Sequence, residues 1–569
     1  MFGGNVKKKK LFTIAAMMLC MVMLLSSCSL FSGNIKFNKF VDKDYRPEVD
    51  ASRTTVEKVD ISGKLLYPET GNLIVLQGHN KTTDRATYTV YNLATNKVIW
   101  KGENSFTKLS SGDETVEYTL QLKEVQIDNK KIGLAIVTKE TRSVTSFAKT
   151  VYDVTVWAED GSEVVTCSNV DKEKVQNSIW VAADLFSIQE KVYRVSKDGS
   201  VAYVFDWNST RQKPTYYLTR AGEYYVDFSN YAGESSVSIY DNCLSTVITY
   251  LPPAYDVLDS GNTLFDLTSH THILSNGNVI VQYVVGQDIM AKKYDFLLLG
   301  GKYNLHTVLL EAKTGKVKDL KLDYIIQEVA FGTGLEDMGI SKDIENVVVA
   351  YPIEDGRINQ SGSAAKLLSM KNNGNIAGVL ELPIMGMTVE GGITAVAHNR
   401  WLINAVNGRS YIVDGNGKIV GEDFNVNKRN ADFFLLDNKI YDWNLEVKCD
   451  LSNENIESIY VMNHSVFFKT KEGAFKLYAN GELKTLAEAE AVANSKRFVK
   501  YLCEGAYLIM DANDAAGTKY EIYNDQGVLL DTIVGNKTPE FCAMTEDGVI
   551  LLCAQVTNSA TDTVYYRIG

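Results

Sequence analysis

The chain has 569 residues, a formal net charge of -12 at pH 7 and 45% hydrophobic residues. This length exceeds the size at which one compact core stops growing, so the sequence predicts several domains or a fold that repeats its core. An acidic chain repels phosphate backbones and anionic headgroups, which excludes nucleic acid as a partner.

The first 27 residues are predicted to be a cleaved signal peptide. Lys7 to Lys10 form a basic start, and an uncharged apolar stretch follows from Leu11 to Leu25. A membrane-spanning helix needs about 20 apolar residues, so this shorter stretch is typical of a targeting signal. Removing residues 1–27 takes away four lysines and no acidic residue, which changes the formal net charge from -12 to -16.

Leu25-Ser26-Ser27-Cys28 places an aliphatic residue and two small residues directly before a cysteine. This motif resembles the lipobox of bacterial lipoproteins, in which the thiol receives diacylglycerol before cleavage. The resemblance implies that Cys28 is the lipidation site and that the lipid bilayer is a partner through acylated Cys28. It also implies a location on the extracytoplasmic face of a bacterial membrane. Two acyl chains suffice for stable anchoring, because each buried methylene contributes about 0.8 kcal/mol.

The alternative interpretation is an uncleaved membrane anchor, or an ordinary signal peptide that carries a chance cysteine. In the lipoprotein interpretation, residues 28–58 comprise the lipidated cysteine and a polar tether, because the stretch after Cys28 shows no sustained periodicity. Residues 59–569 then form the folded body. Glycine (41) and tyrosine (31) are common in the chain and proline (8) is scarce, a balance typical of short strands joined by glycine turns.

The body repeats one pattern, which consists of a strand with apolar residues at alternate positions, a short turn and a second strand. Asn and Gly in the turns supply the positive φ that tight hairpins require. Nine hairpins counted from the turn at Asn96 to the turn at Gly527 give a mean spacing of about 54 residues, and the roughly 40 to 50 residues of a four-stranded propeller blade are exceeded where loops are inserted. Eight of the hairpins are YTVYNLATNKVIW (88–100), VYDVTVWAEDGSEVVT (151–166), VYRVSKDGSVAYVF (192–205), VLLEAKTGKVKDL (308–320), LLSMKNNGNIAGVL (367–380), YIVDGNGKIV (411–420), FKLYANGELKTL (475–486) and YEIYNDQGVLL (520–530).

This pattern resembles the β-propeller superfamily, most nearly its WD40-like and quinoprotein-like repeats. The resemblance implies an all-β fold with a single propeller of seven or eight four-stranded blades, with eight preferred. A strand between Val56 and Tyr67 is expected to complete the last blade, whose other strands lie in residues 541–569. Two stacked β-sandwiches are the alternative all-β arrangement. The best helix candidate is LAEAEAVANS (486–495).

Candidate chemistry is sparse. His270 and His272 would lie on one face of a strand and could hold a metal with a third ligand, although polar surface is the favoured interpretation. DANDAAG (511–517) departs from a calcium loop because Ala516 stands where the loop needs glycine, so we expect a solvated hairpin. The adjacent cysteine pair of quinone-binding propellers is absent from the sequence. No catalytic residue, metal or cofactor is therefore predicted.

Two cysteines near the C-terminus are predicted to face each other across a hairpin. A two-residue turn at Asp547-Gly548 would pair Cys542 with Cys553 at a hydrogen-bonded site, where the Cα separation of about 5.5 Å permits a disulfide. Two reduced thiols are the favoured interpretation. The other cysteines of the body have no metal-ligand spacing and are expected to be small core residues, namely Cys167, Cys243, Cys449 and Cys503.

Three functions agree with these features, and fold alone decides between none of them. The favoured function is a membrane-tethered binding or scaffold module for a protein or glycan partner. The second is an extracytoplasmic polysaccharide hydrolase or lyase, with carboxylates from distant repeats meeting at the propeller channel. The third is an envelope assembly factor that adds a peptide strand to a blade edge.

Overall fold

A computed structural model describes most of the folded body. The described residues are 33–48, 51–109, 112–144, 148–171, 179–207, 218–231, 234–251, 271–284, 305–354, 357–358, 365–382, 389–405, 409–422, 428–511, 518–555 and 563–569. They form eleven sheets, of which nine have four strands, one has five and one has six.

The first four sheets follow one another along the chain, and their strands pair in sequence order. Sheet 1 comprises β3 (Lys64–Leu65), β4 (Leu73–Asn80), β5 (Arg85–Asn92) and β6 (Lys97–Glu103). Sheet 2 comprises β7 (Ser105–Leu109), β8 (Gly112–Ile127), β9 (Lys130–Val144), β10 (Ala148–Ala158) and β11 (Glu163–Val170). Sheet 3 comprises β12 (Trp180–Ala182), β13 (Leu185–Ile188), β14 (Lys191–Val195) and β15 (Val201–Asp206). Sheet 4 comprises β16 (Thr219–Ala221), β17 (Tyr224–Tyr231), β18 (Glu234–Tyr240) and β19 (Thr246–Tyr250).

The middle of the chain forms three further sheets. Sheet 5 comprises β20 (Thr271–Ile273), β21 (Val279–Val284), β22 (Leu305–Glu311) and β23 (Lys316–Leu320). Sheet 6 comprises β24 (Tyr324–Ala330), β25 (Asn346–Glu354), β26 (Arg357–Ile358), β27 (Lys366–Met370) and β28 (Ile376–Glu381), together with β1 (Asn34–Lys36) from near the N-terminus. Sheet 7 comprises β29 (Val389–Ala397), β30 (Arg400–Ala405), β31 (Ser410–Asp414) and β32 (Ile419–Gly421).

The last four sheets end at the C-terminus. Sheet 8 comprises β33 (Lys428–Arg429), β34 (Phe433–Leu436), β35 (Lys439–Asp442) and β36 (Val447–Asp450). Sheet 9 comprises β37 (Ile456–Met462), β38 (Ser465–Thr470), β39 (Phe475–Ala479) and β40 (Glu482–Ala487). Sheet 10 comprises β41 (Arg497–Cys503), β42 (Ala506–Asp511), β43 (Thr518–Asn524) and β44 (Leu529–Gly535). Sheet 11 comprises β45 (Glu540–Met544), β46 (Ile550–Gln555), β47 (Thr563–Ile568) and β2 (Val56–Val59).

Three short helices occur in the described residues. They are α1 (Phe37–Phe40), α2 (Thr333–Asp337) and α3 (Ala489–Ala493). The third lies inside residues 486–495, so the helix predicted there is confirmed.

The all-β interpretation with propeller-type sheets is confirmed, because an antiparallel meander of four strands is the unit of a propeller blade. The number of seven or eight blades is wrong, since the described residues form eleven sheets. The sequence pattern missed the outer hairpins of sheets 4 and 8. In these hairpins the residue with positive φ is a leucine, Leu244 (φ 55°) or Leu445 (φ 70°), so the glycine signal is absent.

The missed hairpins use the same five-residue loop as the recognised hairpins of sheets 2, 3, 6, 7 and 10. In Asp442–Glu446, the Asp442 N–H donates to the Glu446 carbonyl oxygen at 3.0 Å, and Leu445 N–H donates back to Asp442 at 3.0 Å. Asp442 Oδ1 also accepts N–H groups of Asn444 and Glu446, both at 2.9 Å. Asn524 Oδ1 accepts equivalent bonds in the loop that contains Gly527. The aspartate or asparagine at the first loop position thus stabilises the loop whether leucine or glycine occupies the fourth position.

The chain divides into two compact units. The first consists of Met1–Tyr45, Asn230–Val237 and Val247–Asp423. The second consists of Arg46–Ser229, Ser238–Thr246 and Phe424–Gly569.

In the second unit, an apolar core fills each space between successive sheets. Because a sheet with two apolar faces must cover both, its neighbours pack on either side. The cores contain Phe433 and Phe468 (sheets 8 and 9), Phe467 and Tyr507 (9 and 10), Ile522 and Ile550 (10 and 11), Ile74 and Leu551 (11 and 1), Val75 and Ala135 (1 and 2), Val154 and Phe186 (2 and 3), and Trp180 and Tyr225 (3 and 4).

A strand from near the N-terminus completes the last sheet. β2 pairs antiparallel with β47, with Val56 opposite Ile568 and Val59 opposite Tyr565. The Thr54 and Thr55 N–H groups both donate to the Gly569 carbonyl oxygen at 3.0 Å. The predicted completion of the final sheet by a strand between residues 56 and 67 is therefore confirmed.

In the first unit, the described residues 33–45 are part of the fold. β1 adds a strand parallel to β28, with Ile35 opposite Leu380, and Phe37 and Phe40 of α1 are buried in the core between sheets 6 and 7. The indole of Trp401 meets the Phe37 ring edge-on at 5.7 Å. Within the predicted polar tether, Asn34–Val41 thus belongs to the folded body, because these few apolar side chains find a core that local periodicity does not reveal.

Replacing Arg567 with alanine is expected to destabilise the second unit. Arg567 Nε and Nη2 donate to the Leu93 and Ala94 carbonyl oxygens, both at 2.8 Å, and so connect sheet 11 to sheet 1. Losing these charged donors should lower the free energy of unfolding by about 1–3 kcal/mol in urea denaturation. The control Arg142→Ala removes ion pairs of an exposed guanidinium with Glu140 and Glu117 and should cost less than about 1 kcal/mol. Equal losses in the two variants would contradict this account.

Candidate functional site

The predicted lipidation site, Cys28, lies outside the described residues. Its role therefore stays a prediction, as do the signal peptide and the membrane location. None of the helices in the described part of the chain has both the length and the apolar character that a membrane crossing requires.

The histidine pair and the calcium-like loop fall partly outside the described residues. His270 and residues 512–517 lie outside them. His272 is buried, and its Nε2 lies 3.0 Å from the Ile326 carbonyl oxygen. A carbonyl can only accept, so this nitrogen carries the proton and donates. In the described part of the chain, no three His, Cys, Asp or Glu side chains are grouped to hold a metal.

The predicted register between Cys542 and Cys553 is wrong. Cys553 lies opposite Glu540, and Met544 lies opposite Ile550. The turn is the five-residue loop Thr545–Val549 with Gly548 at positive φ, whereas the prediction assumed a two-residue turn. A β-bulge at Cys542 shifts the register once more. Both cysteines are free thiols, and Cys167 is a buried core residue as predicted.

A carboxylate cluster joins turns of three sheets in the second unit. Glu159 is only 5% exposed, and its Oε1 accepts from Asn72 Nδ2 at 2.6 Å while its Oε2 accepts from Gly133 N–H at 2.5 Å. Asn72 Nδ2 also donates to Asp547 Oδ2 at 2.8 Å. Lys130 Nζ lies 3.0 Å from the other oxygen of Asp547. One amide therefore bridges two carboxylates.

Electrostatics and geometry give this cluster a structural role. Burial raises the pKa of Glu159, and the nearby charge of Asp547 adds to the increase. However, both Glu159 oxygens already accept from fixed donors, and Asp547 is paired with Lys130. A catalytic acid needs an oxygen that can reach a substrate. The cluster connects sheets 11, 1 and 2 and gives no support to the hydrolase hypothesis.

A second buried carboxylate has a similar role between sheets 3 and 4. Asp184 is 1% exposed and accepts from Tyr225 Oη at 2.6 Å. Arg220 donates to its other oxygen, and Arg194 Nε lies 3.5 Å from the same atom. The two guanidinium groups and the hydroxyl compensate the buried charge, so Asp184 stabilises the contact between sheets 3 and 4.

The strand β44 forms an open edge of sheet 10 in the second unit. In the described residues it pairs with β43 alone, so alternate N–H and C=O groups along its other side face away from the sheet. Leu529 is 47% exposed and Val534 is 50% exposed, and Val528 directly precedes the strand at 50%. β44 thus combines an open backbone edge with apolar side chains.

Four other outer strands place a lysine beside an exposed apolar residue. They contain Val98 in β6, Val317 in β23, Val447 in β36 and Leu483 in β40. Such lysines oppose the addition of another strand. β44, with the sequence LLDTIVG, has no lysine, and the outer strands β11, β15 and β19 lack one as well. This difference can be read from the sequence once the edge strands are known, but hairpin pattern alone does not identify the edges.

The first unit shows how an outer edge accepts a further strand. β28 would be the outer strand of sheet 6, but β1 pairs with it in parallel over Asn34, Ile35 and Lys36. The segment is fixed by the burial of Phe37 and Phe40 just beyond the paired residues. A short extended segment with apolar anchors is therefore sufficient to occupy such an edge.

Comparison with known proteins adds little to these observations. No family model and no curated protein matches the chain. Among solved structures, BamB from Moraxella catarrhalis is 13% identical, with 63% of this chain and 94% of that chain covered and a TM-score of 0.19. A eukaryotic initiation factor is 10% identical, with 86% and 91% covered and a TM-score of 0.19. At these scores neither structure supports an inference, and the propeller-type assignment depends on the sheets themselves.

The buried Glu159 is expected to make stability fall as the pH rises. Because its pKa in the folded protein lies above the ordinary value of 4.5, the folded state keeps a proton that the unfolded chain releases. Above pH 4.5, the free energy of unfolding of the wild type should therefore fall relative to Glu159→Gln, by at most about 1.4 kcal/mol per pH unit. Urea denaturation across this pH range measures the difference.

The matched control for this experiment is Glu103→Gln. Hydrogen bonds from Thr83 and Asn80 lower the pKa of Glu103, so its contribution is present at higher pH and is lost as the pH falls. The two variants should differ from the wild type with opposite pH dependence. The same sign for both would show that Glu159 is not the group responsible.

Proposed function

We propose that this protein is an extracytoplasmic bacterial lipoprotein, anchored by acylated Cys28, whose propeller-type body binds an extended segment of a protein partner at β44. The observation that carries the proposal is the open edge of β44 with Leu529 and Val534 exposed. The resemblance of Leu25–Cys28 to a lipobox supports the anchor. This function belongs with the assembly-factor hypothesis, in which a peptide strand is added to a blade edge.

An open strand suits an extended peptide for two physical reasons. Its N–H and C=O groups provide main-chain hydrogen bonds, which are insensitive to the sequence of the partner. Exposed Leu529 and Val534 provide apolar contacts, which select a partner with apolar side chains at alternate positions. A glycan would need hydrogen-bonding side chains on this surface, where leucine and valine predominate, and it is therefore the less favoured partner.

The anchor and the charge of the body agree with this role. After loss of residues 1–27 the formal net charge is -16, since four lysines and no acidic residue are removed from a chain of net charge -12. A strongly acidic body is repelled by anionic headgroups, which keeps its edges available for a protein partner. The lipid keeps the body near membrane proteins, and this confinement raises the effective concentration of such a partner.

Charged residues on β44 are expected to abolish partner binding. A photo-crosslinking amino acid at Thr532 in β44 should capture a defined protein in intact cells, whereas the same residue at Thr485 in β40 should not. The double variant Leu529→Lys/Val534→Lys should reduce the crosslinked product at least about tenfold, equivalent to about 1.4 kcal/mol. Leu483→Lys on β40 is the matched control and should have no effect. Equal capture at both positions, or capture of glycan alone, would contradict the proposal.

Replacing Cys28 with alanine should release the protein from the membrane or leave an unprocessed precursor. The lipid acceptor is then lost, while residues 1–27 remain intact. Membrane fractionation with intact-mass measurement distinguishes the outcomes, and Cys20→Ala is the control that should stay acylated. A Cys28→Ala protein that is still cleaved and membrane-bound would refute the anchor without affecting the β44 experiment.

A further inference from the structure

A β-bulge in sheet 11 includes one of two cysteines that face the same core. Phe541 lies opposite Leu552 and Ala543 lies opposite Leu551, so Cys542 is the extra residue between these two pairs. In a regular strand, Cys542 and Ala543 would point to opposite faces. The extra residue of a bulge lets two consecutive side chains share a face. Cys542 and Ala543 indeed both pack against the core between sheets 11 and 1.

Cys553 faces the same core from the neighbouring strand. Cys553 and Leu551 are two residues apart on β46 and therefore point to one face, whereas Leu552 belongs to the core on the other face. Cys542 Sγ lies 3.7 Å from the carbonyl oxygen of Glu540, and Glu540 is the residue directly opposite Cys553. The two cysteines therefore lie diagonally across neighbouring strands and face the same core.

The proximity of the two thiols makes them chemically different. The neighbouring Cys553 thiol, together with burial, raises the pKa of Cys542, and the neighbouring Cys542 thiol lowers the pKa of Cys553. Cys542 donates to the Glu540 carbonyl oxygen, and Cys553 is the sulfur that is more readily present as a thiolate. Both side chains are partly exposed, so a reagent in solution can reach them.

We propose that Cys542 and Cys553 form a redox-active dithiol that disulfide-bearing oxidants convert to an intramolecular disulfide. The Cys553 thiolate attacks one sulfur of the oxidant, forms a mixed disulfide and releases one thiolate. The Cys542 thiol then gives its proton to that leaving thiolate and attacks the Cys553 sulfur, which releases the second thiolate. Two electrons pass from the two cysteines to the oxidant, which becomes two thiols.

In the oxidised form, a disulfide would link β45 to β46 covalently at the bulge. The ladder between β45 and β46 is interrupted between Phe541 and Ala543, so the covalent bond would lie where regular pairing is weakest. Tyr565 on the neighbouring strand β47 packs in the same core, and its hydroxyl donates to the Gly63 carbonyl oxygen at 2.6 Å. Oxidation would therefore strengthen the sheet that joins both ends of the second unit.

The test uses the full mature protein, first reduced and then exposed to oxidised glutathione. Intact mass should fall by two hydrogen atoms, peptide mapping should find Cys542 linked to Cys553, and the melting temperature should rise by about 2–6 °C. The four other described cysteines should remain open to alkylation. A linkage that involves any of them, or two thiols at 542 and 553 that stay fully alkylable, would overturn the proposal.

Single-serine variants test the order of the two steps. Cys542→Ser should stop at a glutathione adduct on Cys553, because the resolving thiol is absent. Cys553→Ser should form an adduct on Cys542 at least about tenfold more slowly, since that thiol is harder to ionise. Cys503→Ser is the control and should oxidise like the wild type. Equal adduct rates in the first two variants would refute the assigned roles, and no result here depends on the anchor or on β44.

Discussion

Burial of both faces of each sheet is the constraint on which the second unit depends. In β46, Ile550 and Leu552 enter one core while Leu551 enters the other, so the strand has no face that can be left in water. A sheet of this kind is stable only with a neighbouring sheet on each face. Each neighbour also has two apolar faces and therefore needs a further neighbour of its own. Sheet 11 meets this requirement between sheets 10 and 1, and β2 from the other end of the sequence pairs with the outer edge of its strand β47. Polar side chains then hold the turns of adjacent sheets together, as Asn72 does between Glu159 and Asp547.

The sequence predicted those parts of the fold that local chemistry encodes. Alternating strands, glycine turns and the role of the residues near Val56 could all be read from it, because each depends on a few neighbouring residues or on the two chain ends. The number of sheets could not be predicted from the sequence, because Leu244 and Leu445 adopt the positive φ for which the pattern expects glycine. A capping aspartate at the first loop position compensates for the less suitable residue. A pattern based on that cap would have found both hairpins.

Register and edge exposure were less predictable, since each depends on tertiary context. The bulge at Cys542 has no signature in EFCAM, yet it lets Cys542 and Ala543 pack against the same core. In the same way, Phe37 and Phe40 are too few to form a local pattern, and only the core between sheets 6 and 7 gives them a place. Recognising β44 as a candidate binding edge requires both the local sequence and the tertiary structure. The absence of lysine in LLDTIVG is visible in the sequence, but its meaning requires knowing that β44 is an outer strand.

The outer strands differ in how they avoid pairing with other chains, and this difference distinguishes protected edges from an edge that could bind a partner. An edge that must stay unpaired places lysine beside its exposed apolar residue, as Lys484 stands beside Leu483 in β40. An edge that the chain itself uses is covered, as β28 is covered by β1. β44 has neither device, although Val534 is half exposed. An exposed apolar edge carries a cost in aggregation, and the proposed partner segment would remove that cost by covering β44.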